Sequence, residues 1–210
     1  MESAAAGPAG DEAHWDAAYG DRGVAEVSWF QPAATVSLAL IGRLGIPRRA
    51  AVVDVGGGAS VLVDGLVAQG FTDVSVLDVS GSALEAVHTR IGPHPGVVLI
   101  HADVLTWEPP RRFALWHDRA VFHFLVDARA RAAYLATLDD ALEPGGSVIV
   151  ATFAPAGPEY CSGLPVARYG PDELAEALGA GFAVVEVLEE DHVTPAGVTQ
   201  PFTWLAARRR

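Results

Sequence analysis

The residues best placed by type and spacing to do chemistry are Asp54, the run Gly56-Gly57-Gly58, and Asp78. Asp54 sits in an apolar, β-branched stretch, Val52-Val53-Asp54-Val55, whose composition suits a strand buried on both faces. The glycines let the chain turn tightly and bring its backbone close to a ligand with no Cβ in the way. Asp78 stands 22 residues beyond Gly56, at the end of a second apolar run. An acid about 20 residues after such a turn reaches a ribose hydroxyl pair from the neighbouring strand. Together these features predict an adenosine-containing ligand. The same residues also have structural readings: a glycine turn that only seats a helix on a strand, and an Asp78 that only caps the next helix. The last position of a dinucleotide fingerprint counted from Gly56 is Val61, not Gly or Ala, which argues against a pyrophosphate.

Positioning these groups takes an alternating α/β chain. Residues 51–55, 74–77, 97–101, 113–117 and 147–153 read as strands, and residues 60–68, 82–91 and 129–142 as helices, the last closed by Pro144-Gly145-Gly146. Regular alternation implies a parallel sheet wound on both faces, with ligands at the carboxyl ends of its strands. A helix opens at Pro171, and residues 182–188 and 202–207 then read as strands. Pro195-Ala196-Gly197 between them suits an antiparallel hairpin. At the other end, residues 12–19 and 32–44 read as helices, the second with Pro32 near its first turn and Gly45 past its end. The expected organisation is one globular domain: residues 1–49 as a helical cover and substrate-side segment, and residues 50–210 as the body that binds the ligand. Residues 155–170, with Tyr160, Leu164 and Tyr169, read as a substrate-side loop.

The run from Asp54 to Ser60 fits Asp-x-Gly-x-Gly-x-Ser and resembles motif I of the class I S-adenosylmethionine-dependent methyltransferases. The resemblance covers about residues 50–153. It implies a single doubly wound, Rossmann-like α/β domain with a seven-stranded, mostly parallel sheet whose last strand enters antiparallel. It also implies S-adenosyl-L-methionine as cofactor. On that reading Asp54 supports the turn and the amino-acid end of the cofactor, and Gly56, Gly57 and Gly58 turn main-chain N–H groups toward its carboxylate. Asp78, with Val79 beside it, takes the ribose; Asp103 accepts from the adenine amino group, and Val104 donates its backbone N–H to the ring. Asp103 at a strand end also reads as a solvated turn residue. Trp29 and Phe30 read either as aromatic faces over the sulfonium or as a hydrophobic staple for the next helix.

The segment around Asp118-Arg119-Ala120-Val121, with Arg131-Ala132-Ala133-Tyr134 and Pro144-Gly145-Gly146, is similar to the thiopurine and halide methyltransferase subgroup. Trp15-Asp16 and Gly163-Leu164-Pro165 fit its general layout, whereas Gly56-Gly57-Gly58 departs from its cysteine-glycine form of motif I. Methyl transfer depends chiefly on proximity. A thiolate, selenolate or halide acceptor needs no protein base; a phenol or amine would give its proton to His117, His123 or Asp118. These three are the catalytic candidates, with Asp118 expected more to hold the methionine ammonium or shape the pocket. Either histidine also reads as a satisfied structural residue. Phe122, Phe124, Tyr160 and Trp204 are candidates for the acceptor pocket or for the core, and Cys161 for packing. No metal-ligand spacing is found.

The formal net charge is −12 and every basic residue is arginine. Such a surface repels phosphate backbones, and no Asn-Pro-Pro-Tyr or Asp-Pro-Pro-Tyr follows the fourth strand, so no nucleic-acid partner is expected. No apolar run reaches the roughly 18 residues of a membrane span. Residues 1–8 lack the features of a secretory signal and are expected to fray, as is Arg208-Arg209-Arg210. A single cysteine allows no disulfide within the chain, and the cytoplasm is the expected compartment. The leading expectation is a methyltransferase acting on a small-molecule sulfur, nitrogen, oxygen or halide nucleophile, because the insertions are short. The alternatives are a protein-lysine methyltransferase drawing a basic peptide to the acidic surface, or a protein that only binds the cofactor. A nicotinamide-dependent dehydrogenase would want a Tyr-x-x-x-Lys pair, which a chain without lysine lacks. Oligomeric state is left open.

Overall fold

The computed structural model describes residues 10–23 and 25–210. In chain order α1 (Glu12–Arg22) and α2 (Thr35–Leu44) precede β1 (Val52–Val55), α3 (Leu62–Ala68), β2 (Val74–Asp78), α4 (Gly81–Ile91), β3 (Val97–His101) and β4 (Phe113–Arg119). After a single turn at Phe122–Phe124 come α5 (Ala128–Ala141) and β5 (Leu142–Phe153), then a short ribbon of β6 (Tyr160–Cys161) and β7 (Leu164–Pro165). The chain closes with α6 (Pro171–Leu178) and a hairpin of β8 (Phe182–Val193) and β9 (Thr199–Arg209). Seven strands form one sheet in the order β3-β2-β1-β4-β5-β9-β8. The first five pair in parallel, and β9 enters antiparallel against β5. This is the doubly wound, Rossmann-like sheet with its antiparallel last hairpin.

All four residues of β1 are buried, as its position between β2 and β4 requires. Side chains of successive strand residues point to opposite faces, and the two faces meet different helices. Leu40, Ile41, Leu62, Leu66 and Val87 of α2, α3 and α4 pack with Val52, Val74 and Leu115 on one face. Tyr134, Leu138, Leu174 and Leu178 of α5 and α6 pack with Val53, Val55 and Trp116 on the other.

Several boundaries depart from the sequence expectation. β4 runs on to Arg119 because it pairs with β5 as far as Arg119–Ala151. Residues 144–146 do not end a helix in a free turn: β5 starts at Leu142, and the pairing jumps from Phe113–Leu142 to Leu115–Ser147, leaving these residues as a bulge. α2 starts at Thr35 rather than Pro32, since Ala34 is not helical and offers no side-chain cap. Arg208-Arg209-Arg210 does not fray. Arg208 and Arg209 pair within the sheet, Arg208 Nη2 donates to the Leu44 carbonyl at 2.7 Å, and Arg209 Nη1 to the Leu142 carbonyl at 2.7 Å. Residues 1–8 lie outside the described residues. Among the described residues no helix is long and apolar enough to cross a membrane.

Candidate functional site

β1 and β2 end side by side, and the glycine turn leaves β1 against the tip of β2, with Gly57 N–H donating to the Leu77 carbonyl at 3.2 Å. Two carboxylates press on this turn. A Cβ on Gly57 would lie 2.7 Å from Asp54 Oδ2; one on Gly58, whose φ is +45°, would lie 2.5 Å from Tyr19 Oη and 3.1 Å from Asp78 Oδ2. Asp78 is only 7% exposed and accepts from the Ser80 N–H at 2.8 Å. Burial, and then the like charge of Asp54, push its pKa up to about 6 against the backbone hydrogen bonds it accepts. Asp78 is therefore not the helix cap. Ser80 caps α4 by accepting from the Ala83 N–H at 3.1 Å, and its own hydroxyl donates to Asp16 Oδ1 at 2.6 Å. Asp16 also accepts from the Ser82 N–H at 3.1 Å, so α1 is fastened to the start of α4. These bonds hold the Asp16 carboxyl below its ordinary pKa.

At the carboxyl ends of the parallel strands lies a cavity of about 170 Å³. Gly56, Leu77, Asp78, Val79, Asp103 and Val104 contribute to its wall from three strand ends. Asp103 accepts from the Leu105 N–H at 2.9 Å and keeps its turn compact. Trp15 and Tyr19 of α1, together with Trp29 and Phe124, supply aromatic wall. Trp15 meets Phe124 edge to face at 5.0 Å and Trp29 at 5.9 Å, and Trp29 Nε1–H donates to Tyr19 Oη at 3.2 Å. Burial and the nearby Asp78 charge raise the Tyr19 pKa, so its hydroxyl stays protonated. A second cavity of about 50 Å³ shares Tyr19, Trp29, Gly56 and Arg119 with the first and adds Phe30, Ser37, Asp54, Gly57 and His117. Of the residues expected at the cofactor, Trp29, Gly56, Asp78, Val79, Asp103 and Val104 line the larger cavity and Asp54 and Gly57 the smaller. Gly58 is pressed between Tyr19 and Asp78, and Asp118 lines neither.

Strand parity separates the three catalytic candidates. Asp54 and His117 are register partners on adjacent strands, and their side chains share the α2 face. His117 Nδ1 hydrogen-bonds Asp54 Oδ1 at 2.7 Å, its Nε2 hydrogen-bonds Ser37 Oγ at 2.9 Å, and all three residues are buried. Both ring nitrogens are thus engaged in tying β1, β4 and α2 together. Asp118, one residue on, points to the opposite face. It is fully buried and accepts from the Val121 N–H at 2.8 Å, the Phe122 N–H at 3.0 Å and the Tyr134 hydroxyl at 2.6 Å. Burial outweighs these donors and pushes its pKa up to about 6. His123 is fully buried between Phe124 and Phe153, at 4.5 Å and 4.7 Å, and burial pushes its pKa down to about 3, so it stays neutral. The three groups expected to move protons are among those the fold encloses most completely.

Arg119, which lines both cavities, was not among the candidates from sequence. It shares parity with His117, donates from Nη1 to the Trp29 carbonyl at 3.1 Å, and lies 4.7 Å over the Phe202 ring. Burial lowers its pKa to about 10, which leaves it cationic at neutral pH. Counting alternate residues along a strand of the right length finds it; the expected strand stopped two residues short. Ala120, next in the chain, has a φ of +75°, a strained value for a non-glycine residue at a cavity wall. Tyr19 and Ser37 were not among the candidates, and Trp15 was named only for its place in the general layout, because only packing of the N-terminal helices brings them in. Of the acceptor-pocket candidates, Phe124 lines the larger cavity. Phe122 packs with Tyr134 and Tyr169 on the sealed face, Trp204 lies in the core, and Tyr160 is 64% exposed. Within residues 155–170, the β6–β7 ribbon brings Cys161 to the larger cavity.

Residues 52–146 match the family model described as a methyltransferase domain. Curated proteins yield no match. Among solved structures, the chain is similar to the 1,6-didemethyltoxoflavin-N1-methyltransferase of Burkholderia thailandensis, crystallised with 1,6-didemethyltoxoflavin and S-adenosylhomocysteine. Identity is 22%, coverage 100% of this chain and 93% of that one, and the TM-score 0.73. It is also similar to an S-adenosylmethionine-dependent methyltransferase from Anabaena variabilis, at 16% identity, 100% and 98% coverage and a TM-score of 0.74. A third likeness is to the N-methyltransferase NodS from Bradyrhizobium japonicum, in complex with S-adenosylhomocysteine, at 18% identity, 83% and 84% coverage and a TM-score of 0.65. With its sheet order, its strand-end cavity and the matched segment, the chain has the fold of the class I S-adenosylmethionine-dependent methyltransferases.

Proposed function

We propose that this chain transfers a methyl group from S-adenosyl-L-methionine to a small-molecule acceptor. The observation that carries the reading is the meeting of Gly56, Asp78, Val79, Asp103 and Val104 on one cavity wall, from three separate strand ends. The residues fit the cofactor. A turn whose glycines have no room for a Cβ lets the backbone approach a ligand closely, and the buried Asp78 carboxylate, which accepts from the Ser80, Gly58 and Val79 N–H groups, keeps oxygen capacity for a ribose hydroxyl. Asp78 would hold the ribose, Asp103 and Val104 the adenine with Val79 beside it, and the turn after Asp54 the amino-acid end, with Trp29 presenting its aromatic face. When bound, the sulfonium supplies an electrophilic methyl group.

The protein's part is to bind, orient and exclude water. α1, α2 and Trp29 form the cover over residues 50–210, and Trp15, Trp29 and Phe124 give an apolar wall that suits an acceptor of modest size. His117, Asp118 and His123 act through position: His117 holds Asp54, Asp118 orders the turn after β4, and His123 packs between Phe124 and Phe153. Calorimetric titration with S-adenosylhomocysteine, S-adenosylmethionine and NAD is the first test. Uptake of the first two and not the third is expected, and no uptake of either sulfur compound overturns the reading. With labelled methyl donor and a cell extract, label is expected in the small-molecule fraction; label in protein would overturn the choice of acceptor.

A further inference from the structure

Arg119 keeps two donors of its guanidinium buried and without an acceptor among the described residues. Nη1 is used on the Trp29 carbonyl, while Nε and Nη2 are free. Buried donors of a charged group are seldom left unmade in a folded protein. Which pair is free matters. Nε and Nη2 form the side-on edge of the guanidinium, the same edge through which Arg90 grips both oxygens of Asp64, at 2.8, 3.0 and 3.2 Å. That fork of parallel N–H groups fits a planar, two-oxygen anion. The acid whose charge bears on Arg119 is Glu190, but its oxygens already accept from Gln31 Nε2 at 3.0 Å and Trp204 Nε1 at 2.8 Å. Cys161, on the same cavity, is held as a neutral thiol by burial, which pushes its pKa up to about 11. The chain thus builds a cation into the wall shared by these two cavities and, among the described residues, gives the gripping edge no partner of its own.

We infer that the Nε–Nη2 edge of Arg119 is a carboxylate receptor inside the site. The inference rests on the methyl-transfer reading for what enters the cavities. Two ligands carry the required chemistry: the amino-acid tail of the cofactor, and an acceptor bearing a carboxylate. Titration of the full chain separates them, using wild type, Arg119→Gln and Arg119→Lys. The probes are S-adenosylhomocysteine, its decarboxylated analogue, and benzoate added to protein already loaded with S-adenosylhomocysteine. If the cofactor tail is held, Arg119→Gln weakens S-adenosylhomocysteine by about 30-fold, the size of a lost charged bidentate contact, and leaves the decarboxylated analogue unchanged. If the acceptor is held, S-adenosylhomocysteine binds wild type and variant alike, while benzoate weakens at least about 10-fold in the variant. Arg119→Lys keeps the charge without the fork, so it recovers only part of either loss and carries the test should Arg119→Gln fail to fold. Equal affinities of wild type and variants for all three probes overturn the inference, and so does an equal loss of S-adenosylhomocysteine and its decarboxylated analogue. A wild type that takes up no S-adenosylhomocysteine sinks the methyl-transfer reading instead, and Arg119 is then judged by benzoate binding to the unloaded protein.

Discussion

The two faces of β4 carry the same kinds of residue to different ends. On one face His117 and Arg119 look toward α2 and the cavities; on the other Trp116 and Asp118 look toward α5. Both faces hold a buried carboxylate in a hydrogen-bond chain: Asp54–His117–Ser37 on the first, Asp118–Tyr134–Trp116 on the second. The second chain borders neither of the two cavities and has every oxygen occupied, whereas the first borders one of them beside Arg119, whose Nε and Nη2 have no acceptor among the described residues. Adjacent positions on one strand therefore divide between ordering the fold and facing the cavities.

The largest test of this division is Asp118→Ala. It strips the acceptor from the Val121 N–H, the Phe122 N–H and the Tyr134 hydroxyl, and is expected to cost about 3 kcal/mol or more, with Tm falling by about 10 °C. Affinity of the folded fraction for S-adenosylhomocysteine should hold within about a factor of two. A variant that melts like wild type but has lost the ligand would reverse the assignment of the faces. Asp78→Asn should behave in the opposite sense, with affinity down about 30-fold from lost charged hydrogen bonds and Tm little changed, as calorimetry and thermal melting would show.

pH sharpens the contrast. The hydroxyl donors of a ribose favour ionised Asp78, so wild-type affinity should fall as pH drops through about 6, and Asp78→Asn should flatten that profile. Stability follows the other sign. Asp78 and Asp118 both have folded pKa values near 6, above the ordinary carboxylate range, so the folded form binds protons more tightly than the unfolded one. Their contribution should make the protein more stable as pH falls from about 6 toward 4, read from denaturant unfolding. Ser37→Ala removes one partner of His117 and should cost about 1 kcal/mol with little effect on affinity. The smallest effect belongs to Ala120→Gly. Relief of a left-handed alanine offsets the entropy of the added glycine, so Tm should move by no more than a few degrees.

Much of the fold could be read in advance because strand and helix periods are local. The apolar runs around Asp54 and Asp78, the 22-residue offset of Asp78 from Gly56 and the C-terminal hairpin all survive in the structure. The chemistry was harder. His117, Asp118 and His123 stand close together in sequence and are titratable, yet a two-residue error in the length of β4 hid which of their neighbours reaches the cavities. Tyr19 and Ser37 left no local signal, and Trp15 only a layout one, since each is brought in by a helix that docks from far along the chain.

From sequence alone came the alternating architecture, the glycine turn and the acid that faces it, because each depends on residue type and spacing within one β-α-β unit. Only the tertiary structure decided which buried charges were satisfied. Whether a histidine or arginine is free depends on which side chains other elements bring within hydrogen-bond reach, and that is why His117 is engaged on both nitrogens while Arg119 keeps an open edge.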